Sequence, residues 1–242
     1  MSIYFLRDRN FGDSGFALGA LILPSVLGMF VALGMMLVVQ YLSADREDGT
    51  LLRAKATPRG MLGYLISKLV TVSLTILTYL AILLLPGLFL VHGLGIGGFR
   101  SWLTLGWVLG LGLVATQSIG AIFGALISSP PGAGYISFPV MGLIAISGIF
   151  YPITAFPDWV QWIAQVFPVY WLGLGMRSAL LPDSAAIVEI AGSWRHLETA
   201  TVLGAWGLVG LAIAPVVLSR MARRESGTRV AERREKALQR IT

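Results

Sequence analysis

The side chains that could do chemistry in this 242-residue chain are few and widely spaced. Cysteine is absent and the only histidines are His92 and His196, so a cluster of metal ligands is not expected. The chain also lacks the glycine-rich lysine loop with which many ATP-binding proteins hold phosphates. We therefore predict a protein that is not an enzyme and that holds no metal or cofactor of its own.

The composition indicates a membrane protein built from helices. Hydrophobic residues make up 56% of the chain and charged residues 12%, and the mean hydropathy is +0.78. No charged side chain occurs in residues 14–44, 69–99 or 101–157. Each stretch exceeds the roughly 20 apolar residues that cross a bilayer as a helix. The predicted fold class is therefore an all-α polytopic membrane protein.

Five apolar segments are predicted to span the membrane. The longest uncharged stretch must hold two of them, because a Ser-Ser-Pro-Pro-Gly break divides it. No span carries a charged residue at mid-depth, which argues against an ion-coupled carrier with an intramembrane Asp, Glu or His. Energy for any transport would then come from elsewhere. The predicted spans are residues 16–42, 62–91, 101–127, 135–151 and 199–218.

Around these spans the chain divides into three predicted parts. A short N-terminal segment precedes a transmembrane domain, and a basic tail follows it. Within the domain, a polar loop and an aromatic segment interrupt the apolar pattern. The boundaries are residues 1–15 for the segment, 16–220 for the domain, 221–242 for the tail, 43–61 for the loop and 152–197 for the aromatic segment.

The distribution of charge predicts which side each part faces. The formal net charge is +6, from 18 basic and 12 acidic residues, and most of it lies in the tail. Basic residues favour the cytoplasmic side, so we expect a cytoplasmic C-terminus in the cell (inner) membrane. Counting back through five spans places the loop 43–61 on the same side and residues 1–15 and 152–197 outside. A nucleic-acid partner is not expected, and a specific lipid site in the tail is the alternative interpretation.

The aromatic segment 152–197 is unlike the predicted spans. It is rich in Trp and Tyr, which prefer the membrane–water interface, yet three prolines break it. Its charged residues include Asp158, Arg177, Asp183 and Glu189. Two interpretations remain open, a hairpin that re-enters the membrane and a pair of helices lying on its surface.

The polar loop 43–61 has the order of charges expected of a short helix. Asp45, Glu47 and Asp48 come first and Arg53 and Lys55 follow, which complements a helix dipole. A proline at position 58 would end such a helix. The pattern alone also fits a solvated connector.

The same loop resembles the cytoplasmic loop of type-2 ABC exporter permeases, in which Glu-Arg-Glu is followed by Gly-Thr-Leu and then Thr-Pro. An aspartate stands where the family has its first glutamate. In that family the loop forms the coupling helix that docks into the ATP-binding subunit. The resemblance therefore implies that the following residues couple this chain to an ATPase: Asp45, Arg46, Glu47, Gly49, Thr50, Leu51, Arg53, Thr57 and Pro58.

A second stretch is similar to the other hallmark of these permeases. Ser-Gly and a proline end the fifth span of the family, a Pro-Trp pair starts a short outer helix, and a further proline and an arginine follow. The family uses this stretch as a re-entrant extracellular hairpin. The matching residues here, after Ser147, are Gly148, Pro152, Pro157, Trp159, Pro168 and Arg177.

The resemblance covers about residues 16–220 and carries further expectations. It implies a membrane-spanning exporter subunit that moves a hydrophobic or amphipathic substrate, such as a drug, lipid or polyketide, outward. ATP and Mg²⁺ would be bound by a separate ATP-binding subunit, and a second permease chain, identical or a sister, would complete the pair. Membrane lipid is the remaining expected partner. A membrane scaffold or a membrane enzyme are the competing classes, and both leave the loop motif unexplained.

The resemblance also raises a question of topology. The family has six spans with both termini in the cytoplasm, and its second span leads into the Gly-Thr-Leu loop. Here the first predicted span leads into that loop, so the family's first span is expected to be missing. A truncated reading frame, a divergent five-span permease and a companion chain that supplies the helix all remain open.

Several uncharged residues are candidates for a substrate path. Gln117 lies mid-span, where it could bond a neighbouring helix or touch the substrate. Four apolar or aromatic side chains could line the same path, although contact with lipid or with the core is the alternative for each: Phe123, Met141, Phe150 and Tyr151.

Overall fold

The computed structural model describes residues 18–58, 60–91, 94, 97–126, 134–150 and 153–224, and all regular structure in them is helical. Short 3₁₀ helices accompany the α-helices at Ile153–Ala155, Asp183–Val188 and Ile190–Gly192. The predicted all-α fold is confirmed. The α-helices, in chain order, are α1 Leu18–Glu47, α2 Thr50–Lys55, α3 Gly60–Leu90, α4 Phe99–Leu126, α5 Ser137–Ile146, α6 Asp158–Val166, α7 Pro168–Leu180 and α8 His196–Arg224.

Among the described residues, four helices are long and apolar enough to cross a membrane: α1, α3, α4 and α8. Their apolar portions hold 26 to 31 residues, and about 20 residues suffice to cross the hydrocarbon core. The chain is therefore a multi-pass membrane protein, as its composition predicts.

Helix α4 is the centre of the bundle. It packs most extensively against α8 and α1, and it also contacts α7. The run from Ala115 to Ala121 is buried on every face of the helix, which is possible only because neighbours surround it. By contrast, α3 is peripheral and exposes large apolar side chains along its length, among them Leu74, Ile82 and Phe89.

Helix α7 is inserted between the long helices. Twelve of its thirteen residues are buried, and it packs against α4, α1 and α8. Glycines allow this close approach, because a Cβ on Gly175 of α7 would lie 2.8 Å from a methyl group of Val108 in α4. We call α6 and α7 the inserted hairpin, because α7 lies inside the bundle.

One end of the bundle holds the end of α1, the start of α3 and the ends of α4 and α8, and we call it the loop end. Arg46 at the end of α1 donates hydrogen bonds to the carbonyl oxygens of Gly124 and Ala125 in the last turn of α4. The same guanidinium contacts the sulfur of Met221 near the end of α8. These contacts bring the ends of three long helices together.

The opposite end carries α6 and α7, and we call it the hairpin end. There the hydroxyl of Ser25, near the start of α1, donates a hydrogen bond to the carbonyl oxygen of Ile149. The loop 43–61 and the segment that follows α5 therefore lie at opposite ends of α1, as two motifs on opposite sides of a membrane require.

The predicted fourth span, 135–151, is not one long helix. The chain leaves α4 at the loop end and reaches Ile149 at the hairpin end, so it passes along the bundle between these points. The helix within this passage, α5, has ten residues, which at about 1.5 Å per residue is near half of the ~30 Å hydrocarbon core. A turn at Ser147 and Gly148, where Gly148 has a φ of 68°, ends the helical path before position 151.

The other predicted spans agree with the helices except at their ends. Helix α1 continues to Glu47, five residues beyond the predicted end at position 42, because the charged side chains in its last turn find partners inside the bundle. Helix α8 is likewise longer at both ends than the predicted span 199–218.

Candidate functional site

The short helix α2 begins at a turn that depends on Gly49. This residue has a φ of 80°, a left-handed conformation that glycine adopts without steric cost. Beside it, the Asp48 Oδ1 accepts a hydrogen bond of 2.8 Å from the backbone N–H of Thr50. This bond satisfies one of the free N–H groups at the start of the helix. Arg53 and Lys55 lie in the last turn, as the helix dipole favours.

Helix α2 is shorter than the sequence predicts. The sequence assigns coupling residues from Asp45 onward and places the end of the helix at Pro58, whereas Asp45 belongs to α1 and α2 ends at Lys55. The helix stops before the proline because Pro58 has no N–H to donate to the carbonyl oxygen of Ala54. The Thr57 hydroxyl donates a hydrogen bond of 2.9 Å to that oxygen instead. The next turn also depends on a glycine, since a Cβ on Gly60 would clash with that same carbonyl.

The predicted coupling residues divide into an exposed set and a buried set. Exposed side chains extend from the last turn of α2 into the following turn, and Leu51 on the opposite face is 1% exposed and belongs to the core. Asp45 and Arg46 are also buried, and Glu47, Gly49 and Thr50 are partly exposed. The exposed set is Arg53, Thr57 and Pro58, and the neighbouring Lys55 and Ala56 are exposed as well.

Asp45 is the centre of a buried polar cluster between α1 and α3. Its carboxylate accepts a hydrogen bond of 2.5 Å from the Tyr64 hydroxyl and forms an ion pair of 2.7 Å with the Lys68 ammonium. Lys68 also lies over the Tyr41 ring, 5.2 Å from its centroid. We name Asp45, Tyr64 and Lys68 the Asp45 cluster. It fastens the end of α1 to the beginning of α3, with α2 between them.

The sequence analysis did not predict Tyr64 and Lys68 as part of a site. Their spacing of four residues places both on one face of α3, and Lys68 is the charged residue that precedes a long uncharged stretch. That signal could have indicated a partner for Lys68. It does not identify Asp45, because the pairing joins two helices across the bundle.

Arg46 also stabilises the loop end, through contacts with the last turn of α4. Its two backbone hydrogen bonds measure 2.9 Å to Gly124 and 2.7 Å to Ala125. The carbonyl groups in the last turn of a helix lack partners within it and carry partial negative charge. A buried guanidinium is therefore well placed there, and it joins α1 to α4.

Asp48 lies outside the spanning helices, and its pKa is lower than the ordinary value. Partial burial raises the pKa of this carboxyl group. The hydrogen bonds from Thr50 and the positive charges of Arg53 and Lys68 act in the opposite direction and outweigh burial. Asp48 is thus ionised under ordinary conditions, and its charge supports the start of α2.

At the hairpin end, the turn after α5 is held by buried polar contacts. A Cβ on Gly148 would lie 2.9 Å from the Cβ of Ile153, so this position requires glycine for space as well as for its φ. Arg177 of α7 donates a hydrogen bond of 3.0 Å to the Gly148 carbonyl oxygen and forms an ion pair of 2.6 Å with Glu189. The Glu189 partner is not predicted from the sequence.

The prolines of the hairpin lie where their fixed φ is useful. Pro157 directly precedes α6, and Pro168 is the first residue of α7, a position where the missing N–H costs nothing. Trp159 on α6 is 67% exposed, which suits a membrane interface. Pro152 lies outside the described residues.

The candidate substrate-path residues have different surroundings. Gln117 is 1% exposed, and its amide donates a hydrogen bond of 2.9 Å to the Ser73 hydroxyl, which joins α4 to α3. Phe123, Met141 and Phe150 are exposed on three different elements, and Tyr151 lies outside the described residues. The structure shows helix packing for Gln117, and a substrate path stays a prediction.

Comparison with known proteins identifies the family. Neither a curated protein nor a solved structure matches the chain. A family model described as "ABC-2 family transporter protein" matches residues 8–216, which include the Gly49 turn, the Asp45 cluster and the inserted hairpin. Since this match covers most of the chain, the protein belongs to the ABC-2 transporter family and is a membrane permease component of an ABC transporter.

Proposed function

We propose that the chain is the membrane-spanning subunit of an ATP-driven exporter. It moves a hydrophobic or amphipathic substrate, such as a drug, a lipid or a polyketide, outward across the cell membrane. ATP and Mg²⁺ are bound by a separate ATP-binding subunit, which family membership implies in general terms. A second permease chain, identical or a sister, pairs with this one, and the C-terminus lies in the cytoplasm.

The observation that supports this proposal is the set of buried contacts that hold α2 at the loop end of the bundle. The helix lies outside the spanning helices and presents the exposed residues Arg53, Thr57 and Pro58. Its base is fixed through Asp45 to α3 and through Arg46 to α4. A force applied to α2 would therefore reach three long helices directly.

The scarcity of charge in the spans supports an apolar cargo. The described residues within the apolar portions of α3 and α4 include few ionisable side chains, and Gln117, the polar residue at the centre of α4, already bonds Ser73. A highly charged solute would find few partners along such helices. A substrate with a large apolar part meets no comparable cost.

The test uses a charge reversal on the exposed face of α2. The ATP-binding subunit is identified from a gene adjacent to that of this chain, and the two proteins are co-expressed and co-purified. Arg53→Glu should lower recovery of the ATPase with the permease about tenfold, because it removes a contact charge without disturbing the buried base of α2. ATP-dependent export of a fluorescent lipid or drug from vesicles should fall in parallel.

The matched control is Arg100→Glu, which reverses an exposed charge at the opposite end of the bundle and should leave co-purification intact. If Arg53→Glu leaves both co-purification and export at the level of the unmodified protein, the coupling assignment is wrong. If both variants lose the ATPase equally, the effect is one of general charge and does not support α2 as the contact.

A further inference from the structure

Two adjoining cavities lie at the loop end, between the turn after α2 and the last turns of α8. One has a volume of about 420 Å³ and is lined by Lys55, Thr57, Gly60, Met61, Leu62, Pro215, Ser219, Ala222 and Arg223. The other has a volume of about 340 Å³ and shares Pro215, Ser219 and Arg223 with the first. Together they form one groove, which we call the α2–α8 groove.

The polar side of the α2–α8 groove is positively charged. Lys55 comes from the end of α2, and Arg220 and Arg223 come from α8. The Ser219 hydroxyl lies in the same lining, and no Asp or Glu is among the residues that line the two cavities. Such a set of groups suits a phosphate, which accepts hydrogen bonds from cations and hydroxyls alike.

The other side of the groove is apolar and belongs to the membrane-spanning helices. Leu62 of α3 and Val216 of α8 are 47% and 49% exposed, and both lie within segments that are apolar enough to cross a membrane. On α8, Val216, Arg220 and Arg223 follow one another at helical spacing and so lie along one face. The groove thus passes from cations to exposed hydrocarbon in the direction of the bilayer interior.

We propose that the α2–α8 groove binds one anionic phospholipid of the leaflet at the loop end. The lipid phosphate lies among Lys55, Arg220 and Arg223, and an acyl chain runs along Leu62 and Val216. A soluble anion would leave the apolar half of the groove exposed, and an acidic peptide from a partner subunit would have to enter the membrane to cover it. Basic recesses between spanning helices are known to suit anionic head groups.

A lipid bound at this site would contact the proposed coupling region, because Lys55 is the last residue of α2. Lipid composition would then affect that region. Lipid binding itself does not depend on the proposed export function, whereas assigning the loop end to the cytoplasmic leaflet rests on the orientation proposed there. A measurement on the chain alone, without any ATPase, therefore tests the lipid site separately from transport.

The experiment measures retention of phosphatidylglycerol by the purified full-length chain. The protein is placed in nanodiscs of phosphatidylcholine with increasing phosphatidylglycerol, then released and examined by native mass spectrometry. The unmodified chain should retain one phosphatidylglycerol per chain, and Arg220→Gln with Arg223→Gln should weaken retention roughly 30-fold, about fivefold for each charge removed. Val216→Asn should also weaken retention while leaving the charges in place.

The matched control is Arg233→Gln with Arg234→Gln, which removes the same charge from the basic tail. Equal loss of retention in this control would overturn the proposal, since it would indicate diffuse attraction by the tail. Displacement of the lipid by millimolar inorganic phosphate would overturn it in favour of a small-anion site. Unchanged retention in the Arg220/Arg223 variant, with folding shown by an unaltered unfolding midpoint in phosphatidylcholine alone, would also overturn it.

Discussion

The charged residues at the end of α1 form their contacts inside the helix bundle. Asp45 is 6% exposed and Arg46 is 3% exposed, although both belong to the motif that implies contact with an ATPase. Each has a partner inside, Lys68 for the carboxylate and the α4 carbonyl groups for the guanidinium. Their contribution to coupling would therefore be to hold α2 in place, while Arg53 and Thr57 supply exposed surface.

Removing the charge of Asp45 should destabilise the protein measurably. Asp45→Asn leaves the Lys68 ammonium without its ion-pair partner, and breaking a buried pair commonly costs about 3–5 kcal/mol. Because the side chain of Lys68 is 18% exposed, water offsets part of this cost, and we expect a loss of about 2 kcal/mol. Equilibrium unfolding in mixed micelles measures the change.

Two further variants test whether the loss of stability comes from the broken ion pair. Asp45→Asn combined with Lys68→Met should recover part of the lost stability, because no buried charge then lacks a partner. Glu198→Gln, which breaks the exposed pair with Arg195, should cost at most about 0.5 kcal/mol. A double variant that is no more stable than Asp45→Asn alone would contradict the ion-pair explanation.

Residue types and spacing predicted the members of both motifs but not their partners. Gly49 is predictable, since the turn before α2 needs a residue that tolerates a positive φ. The pairs Asp45–Lys68 and Arg177–Glu189 join groups from separate parts of the chain. A single sequence gives no distance between these groups, so the two ion pairs can be identified only in the packed structure.

Among the helices, α1 and α4 approach each other closely at two glycines of α4. A Cβ on Gly120 would clash with the carbonyl oxygen of Met35 and lie 2.9 Å from its Cα. Gly124, one turn later, lies against Val39 in the same way, since its Cβ would be 3.2 Å from the Val39 Cα. Small residues at such spacing are a common means of packing membrane helices.

A single methyl group should therefore act differently at two glycines of α4. Gly120→Ala places a Cβ against backbone atoms that cannot rotate away, and we expect a loss of about 1–3 kcal/mol. Gly106→Ala meets nothing within 4 Å and should be neutral or stabilising by up to about 1 kcal/mol. Unfolding of the two variants under identical conditions measures the difference, and equal effects would mean that the α1–α4 approach does not limit stability.

Hydropathy predicted the long helices well and the short ones poorly. Residues 62–91 and 101–127 differ from α3 and α4 by at most two residues at either end. The helix α5, which lies in the fourth predicted span, and the helix α7 are harder to predict from hydropathy. The reason is their length, since α5 has ten residues and α7 has thirteen. Helices of these lengths are too short to be predicted as membrane spans from hydropathy. The burial of α7 cannot be predicted from its own sequence either, because it depends on contacts with neighbouring helices.

At the scale of the whole molecule, the two ends of the bundle face different surroundings. The proposed coupling region and the α2–α8 groove lie at the loop end, and the inserted hairpin lies at the other. The absence of cysteine from the natural chain allows single cysteines to report which side of the membrane each end faces.

We expect Ser184→Cys to react with a membrane-impermeant maleimide in intact cells, because Ser184 is exposed at the hairpin end. Ala56→Cys, exposed beside α2, should react only after the cells are permeabilised. Gel-shift quantification of the labelled protein measures both. The reverse pattern would invert the proposed orientation, and reaction of both variants in intact cells would contradict opposite placement.

Helix α1 is held by side chain–carbonyl bonds at both of its ends, through Arg46 at one and Ser25 at the other. These two bonds connect α1 directly to the last turn of α4 at the loop end and to the turn after α5 at the hairpin end. Under the proposed function, a displacement of α2 would reach the hairpin end through α1. Closure of the ATPase and movement at the hairpin end would then be coupled through this one helix.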